Sequence, residues 1–362
     1  MLFHYAVEAT EENWLHDSIC AILSAGMDQI DVGREPACWP DCLPEEHRDR
    51  LSSRTGIRDH SQKFFDKYTG YDIENRQRIR NALSTQNALP DIFNGQSDRV
   101  TLDQMPEDIR DAIRELFRYA FGLLTEVGLR DRHYEAIYRE LSRKFCPFCG
   151  LERLSAPGQP RHDLDHYLLF SVYPFAGANL RNLVPMGDRC NKSFKREIDV
   201  IFDPDTSTRR RCCDPYSGSR IALELTQTKL LSEDRAIRPQ PNWSLTFTGA
   251  DSDRIATWDA TFQIQERYTD VLDDEFASWL RGFAAWSGHP MSTASINDVQ
   301  SAVAALSNYI ELIDIQGLDD SNFLKKAVFG LLRDHCRNGP DAEIIAHWLQ
   351  TLVDEFSFEE VA

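Results

Sequence analysis

Residues 145–196, FCPFCGLERLSAPGQPRHDLDHYLLFSVYPFAGANLRNLVPMGDRCNKSFKR, hold the densest run of chemically suggestive side chains in the chain. Four parts follow one another. Cys146-Pro-Phe-Cys149-Gly150 has the CxxC spacing at which two thiolates of one tight turn can share a zinc ion. Asp163-Leu-Asp165-His166-Tyr-Leu-Leu reads as a short strand ending in an acid–histidine pair, and Asn182-Leu-Val-Pro185 as a second short strand opened by an asparagine. Asp188-Arg-Cys190-Asn191-Lys-Ser-Phe-Lys195 begins a helix, with Asp188 as its candidate N-cap. Adjacent residues of a regular strand point to opposite faces. Asp165 and His166 can therefore serve one site only if the strand ends or bulges there.

Charge separates this stretch from its surroundings. The 362-residue chain carries a formal net charge of −18. Lys+Arg number 17 against 26 Asp+Glu in residues 1–140, 16 against 12 in 141–240, and 7 against 20 in 241–362. The middle third alone is basic. Acidic flanks argue against non-specific coating of a polyanion and fit binding that is weak, gated or assisted by a partner.

The flanks read as helical support. Apolar positions recur at helical spacing in 11–32, 102–125 and 131–145, with Asp103 or Pro106 as the start of the second. After a strand-like run, Trp243–Gly249, helices are expected near 258–284, 297–314, 319–337 and 341–357, with Asp319, Asp320 and Ser321 as caps. Three regions follow: a helical N-terminal region (1–140), a core (141–220) and a mostly helical docking or regulatory region (221–362). No apolar run reaches membrane-spanning length and the first residues, MLFHYAVEATEEN, lack the pattern of a signal peptide, so a cytoplasmic protein with no membrane contact is expected. Nine unevenly spaced cysteines then argue for metal ligands rather than disulfides. Cys20 and Cys336 lie in helix-like sequence and read as core, and Cys38/Cys42 reads as a loop without metal.

The order knuckle, strand with an acid–histidine pair, strand opened by Asn, and helix with Asn resembles the ββα-metal, or HNH, endonuclease family. It resembles in particular stand-alone bacterial HNH nucleases of phage defence, such as the Septu nuclease subunit. The resemblance implies an α+β fold, mainly helical, with a central ββα-metal module. It also implies an endonuclease that hydrolyses phosphodiester bonds, in DNA ahead of RNA, as an anti-phage effector docked to a partner ATPase. In that family's terms His166 is the general base, Asp165 and Asn191 hold a Mg²⁺ or Mn²⁺ ion, and Asn182 holds the histidine ring in its working tautomer. Lys192, Lys195 and Arg196 contact phosphates. Cys146, Cys149 and Cys190 bind structural zinc.

The chain departs from the family pattern at two places. The second knuckle reads Gly187-Asp-Arg-Cys190, one thiolate short, so the fourth zinc ligand is open among His162, Asp188, Cys212 and Cys213, or the ion is absent. The segment after Asp165-His166 lacks the family's Pro-Lys. Arg209–Arg211 supply a further basic cluster ahead of a Pro-Tyr turn, and Thr257–Tyr268 resembles, weakly, a stretch that trails the domain. Two other readings stand beside the first: an RNA- or tRNA-cleaving nuclease, and a non-catalytic zinc module acting as an interaction subunit.

Overall fold

A computed structural model describes every residue except 160–162, 219, 232–239, 290–294, 317–320 and 360–362. His162, Asp319 and Asp320 lie outside the described residues. The chain is mainly helical, with short antiparallel strand pairs. It forms two compact units: Met1–Arg220 with Ser252–Phe262, and Ile221–Asp251 with Gln263–Ala362.

In the first unit, helices Trp14–Asp31, Thr55–Tyr68, Ile73–Asn87, Glu107–Glu126 and Leu129–Glu140 surround the middle segment. The fourth of these shows why the sequence folds so. Ile109, Ile113, Leu116, Phe117, Ala120 and Leu124 recur every three or four residues and are buried, while Glu107 and Asp108 sit in the first turn, where the helix dipole favours carboxylates. It begins after Pro106, because Leu102–Gln104 forms a separate 3₁₀ turn closed by a Thr101–Gln104 capping box. The next helix stops at Glu140, where Leu141 turns extended, five residues short of the expected end.

The expected boundary between residues 140 and 141 falls inside this unit. Leu164, Phe175, Ala178, Leu180 and Leu183 of the middle segment belong to the same apolar cluster as the flanking helices. A two-strand ladder this short cannot bury its own core and needs helices against it. Gln86, fully buried, joins the parts: its Nε2 donates to Val100 O at 2.9 Å and its Oε1 accepts from Phe175 N at 2.9 Å. Ser252–Phe262 returns to the same unit, where Trp258 Nε1 donates to Phe148 O at 2.8 Å.

In the second unit Ala222–Glu224 pairs with Thr246–Thr248, and the helices are Ile264–Gly288, Val299–Gln316, Asn322–Asn338 and Ala342–Glu359. The helix expected near 258–284 is two helices, broken where Gln263 takes a left-handed φ of +50°. Ser321 precedes Asn322–Asn338 but makes no side-chain capping bond.

Burial pushes the pKa of His16 down to about 4, and it also lowers that of His133. Such a group is neutral when folded but binds a proton below about pH 6.5 when unfolded. The stability it carries is complete above that pH and is lost as the pH falls toward the folded value. Urea unfolding at pH 7.5 and pH 5 is expected to show a less stable protein at pH 5. His16→Leu should remove about 2 kcal/mol of that difference. An unchanged difference in the variant would show that His16 does not carry it.

Candidate functional site

Strand β1 (Leu164–His166) pairs antiparallel with strand β2 (Leu183–Pro185), with Leu164 opposite Pro185, Asp165 opposite Val184 and His166 opposite Leu183. Leu164 faces the core, while Asp165 and His166 are half-buried. The ladder ends just past His166. Tyr167 N donates to Asn182 O at 2.9 Å, and the chain then turns away through residues 168–176.

Asn182 fixes that turn. Fully buried, it accepts from Leu168 N through Oδ1 at 2.7 Å and donates through Nδ2 to Leu168 O at 3.1 Å and Ala176 O at 3.2 Å. One amide thus holds both ends of the loop. The next residue, Gly177, presents its carbonyl to His166 Nε2 at 2.8 Å. A carbonyl only accepts, so Nε2 carries the proton and the neutral ring keeps its lone pair on Nδ1. The tautomer expected from Asn182 is therefore set by the Gly177 carbonyl, and Asn182 acts one step removed. Gly177 has no room for a side chain: a Cβ there would lie 2.5 Å from the Phe170 ring.

The His166 ring packs against Phe121 and Phe170, with centroid separations of 4.6 and 5.4 Å. Burial lowers its pKa below that of a free histidine. The Gly177 carbonyl and Asp165 oppose that effect, and Lys195 and Arg130 add to it. Arg130 lies over Phe121 and Arg118 over Phe170, at 4.6 and 5.8 Å from the ring centroids. These two arginines and two phenylalanines escaped the sequence reading. Arg118 and Phe121 belong to a segment, 102–125, whose periodicity spoke only of scaffold, although they stand three apart, on one helix face, and Arg130 falls between the two segments read as helices.

Lys195 is the main correction. Expected at the surface against phosphates, it is fully buried: its Nζ lies 2.8 Å from Asp165 Oδ2 and donates to His166 O at 2.9 Å. The Asp165 contact is an ion pair without good hydrogen-bond alignment. The lysine thus fastens the helix to the end of β1. That helix, Arg189–Lys195, is a wide π turn, marked by Arg196 N donating to Asn191 O, five residues back, at 2.9 Å. Such turns are frequent at functional sites. Asn191 stands four residues before Lys195, and so on the same side of the helix. Asp188 precedes the helix in helical conformation and caps nothing with its side chain. Its carboxylate pairs with Lys192 Nζ at 3.0 Å. Lys192 and Arg196 are exposed.

The basic cluster Arg209–Arg211 is spent partly on structure. Arg209 donates to Ile201 O at 2.7 Å and also to Ile92 O, and Arg210 pairs with Asp203 at 2.6 Å. The Pro-Tyr turn closes onto β2, since the buried Tyr216 hydroxyl donates to Leu183 O at 2.6 Å.

A second constellation lies in the same unit. The Sγ atoms of Cys146, Cys149 and Cys190, all buried, lie within 4.8 Å of one another. Sulfurs of a tetrahedral zinc site stand about 3.7 Å apart, from Zn–S of about 2.3 Å. The group could hold a soft metal ion such as zinc. The knuckle is pinned by Gly150 N donating to Cys146 O at 2.7 Å and Leu151 N donating to Cys149 Sγ at 3.4 Å. Mutual contact and burial raise the Cys190 thiol pKa, which a bound cation would reverse. The nine cysteines form no disulfide. Of the expected fourth ligands, Asp188 pairs with Lys192, Cys213 Sγ faces the Met1 amino group at 3.4 Å, and Cys212 is engaged with Tyr167.

Truncating Lys195 would leave Asp165 half-buried without its counter-ion. Lys195→Ala is therefore expected to cost about 3–5 kcal/mol in urea unfolding. A surface phosphate contact at that position would change stability by no more than about 0.5 kcal/mol. No family model, no curated protein and no solved structure matches the chain.

Proposed function

We propose that this chain is an HNH-type nuclease that hydrolyses phosphodiester bonds with the help of a divalent ion. Its favoured substrate is DNA, and its setting is a cytoplasmic anti-phage system in which a partner ATPase controls it. The observation that carries the reading is the state of His166. Its Nε2–H is tied to the Gly177 carbonyl and its Nδ1 is left as the basic atom.

In this reading His166 Nδ1 accepts the proton of the attacking water, and the Gly177 carbonyl keeps the ring from rotating as the charge develops. Phe121 and Phe170 fix the ring plane and limit water around it. Arg118, Arg130, Lys192 and Arg196 supply charge for the phosphate backbone. Asp165 Oδ1 and the Asn191 amide are hard oxygen donors of the kind a Mg²⁺-like ion uses sparingly, keeping several waters. Such an ion, when bound, supplies positive charge at the scissile phosphate. Lys195, against the other Asp165 oxygen, limits the carboxylate's freedom and keeps Oδ1 turned away from the ammonium. Cys146, Cys149 and Cys190 would hold zinc and fasten the knuckle to the helix.

The Lys195–Asp165 pair also favours a second reading. A carboxylate already neutralised by a buried ammonium is what a non-catalytic zinc module would retain.

Purified protein with supercoiled plasmid or with tRNA, in Mg²⁺ or Mn²⁺, separates these readings. The nuclease reading expects plasmid nicking in preference to tRNA cleavage, with His166→Ala slower by about 10²–10⁴-fold. Cutting that survives His166→Ala would overturn it, and preferential tRNA cleavage would move the substrate to RNA. No cleavage under either ion, alone or with the partner, would leave the interaction module.

A further inference from the structure

We infer that Glu152 is the fourth ligand of the Cys146–Cys149–Cys190 metal site. The inference rests on the zinc reading of the three thiols and is independent of the nuclease reading. A CxxC pair for Cys190 would need its partner thiol at Gly187, three residues earlier. That space is taken. A Cβ built on Gly187 would lie 2.7 Å from the carboxylate carbon and Oε2 of Glu152 and 2.9 Å from its Cβ. The missing sulfur and the carboxylate occupy one place.

The two carboxylate oxygens have different tasks. Oε2 accepts from Arg189 N at 2.9 Å, which ties Glu152 to the start of the helix that carries Cys190. Oε1 faces the thiols, and Cys149 Sγ–H donates to it at 4.0 Å. In a tetrahedral site with Zn–S of about 2.3 Å and Zn–O of about 2.1 Å, sulfur and oxygen stand about 3.6 Å apart. A shift of about half an ångström brings Oε1 to that edge, with zinc replacing the thiol proton it now accepts. The Arg189 amide then orients the ligating carboxylate as outer hydrogen bonds do at metal sites.

The local backbone is built for this placement. Cys146 N donates to Glu152 O at 2.7 Å, closing the knuckle so that residue 152 returns beside residue 146. Gly150, with φ of +69°, makes the turn that permits it.

The test uses the full-length chain loaded with zinc. X-ray absorption is expected to show three sulfurs at about 2.3 Å and one lighter ligand at about 2.0–2.2 Å. In competition with a chromogenic chelator, Glu152→Ala should weaken zinc binding by at least about 10–100-fold. His162→Ala should leave it unchanged. Should Glu152→Ala fail to fold, the double variant Glu152→Gly/Gly187→Cys answers instead: removing the Glu152 side chain with its Cβ vacates the space, so it should bind zinc with four sulfurs. Zinc affinity unaltered in Glu152→Ala would overturn the assignment, as would loss of imidazole scattering and affinity in His162→Ala. A wild-type chain that binds no zinc would overturn the zinc reading itself, and that outcome is distinct from both.

Discussion

One buried ammonium organises the middle of this molecule. Lys195 reaches from the end of a seven-residue helix into a fully enclosed position and meets Asp165 and the His166 carbonyl at the end of β1. Burying a lysine costs several kcal/mol, and here a carboxylate and a carbonyl receive its Nζ to offset that cost. The helix is too short to hold its own shape and the ladder beside it is three residues long. Their mutual placement therefore depends on this contact. Because Asp165 and His166 are neighbours in sequence, one lysine fixes both: the first through its side chain, the second through its backbone.

The second constraint is a relay of hydrogen bonds. Asn182 closes the loop at Leu168 and Ala176, and closure places the Gly177 carbonyl against the His166 ring. Each step is buried or half-buried, where a lost partner costs about 1–3 kcal/mol. The ring is thus oriented by a turn eleven residues downstream, itself held by Asn182, just before β2, and by Gln86 of a distant helix. The shell of helices is what makes so small a strand pair rigid. It also explains why residues 1–140 and the middle segment share one core instead of forming two domains.

Much of this was legible in the sequence because it depends on local order. The spacing of Asp163–Leu169, Asn182–Pro185 and Asp188–Lys195 places two strands and a helix close to where they lie, and the periodicity of 102–125 gives the buried face of the helix Glu107–Glu126. The thiols of Cys146, Cys149 and Cys190 were likewise readable as one group. What was not legible is which way a charge turns. Lys192 and Lys195 look alike in sequence, yet one is exposed and the other is fully enclosed, because only the latter lies on the face toward β1. Arg209 is similar: its guanidinium serves the carbonyls of Ile201 and Ile92, a role that needs their positions in space. Glu152 gave no signal, since its proposed role depends on filling the place of a side chain that Gly187, more than thirty residues away, lacks.

The same geometry bears on how an acidic chain could meet a polyanion. At physiological salt, charges separated by more than about 8 Å are largely screened, so the net charge of −18 acts mainly on the approach. At contact the local cations decide. The cations proposed to meet phosphate are Arg118 and Arg130, which lie over Phe170 and Phe121 beside His166, and the exposed Lys192 and Arg196, with Lys192 partly offset by Asp188. In the proposed reading, four phosphate contacts would give a salt slope of only about −3.6, well below that of proteins that bind DNA by charge alone. In the proposed nuclease reading, an acidic approach field over a small cationic site favours substrate delivered by another protein over substrate found by diffusion. That asymmetry follows from where the charges sit along the sequence.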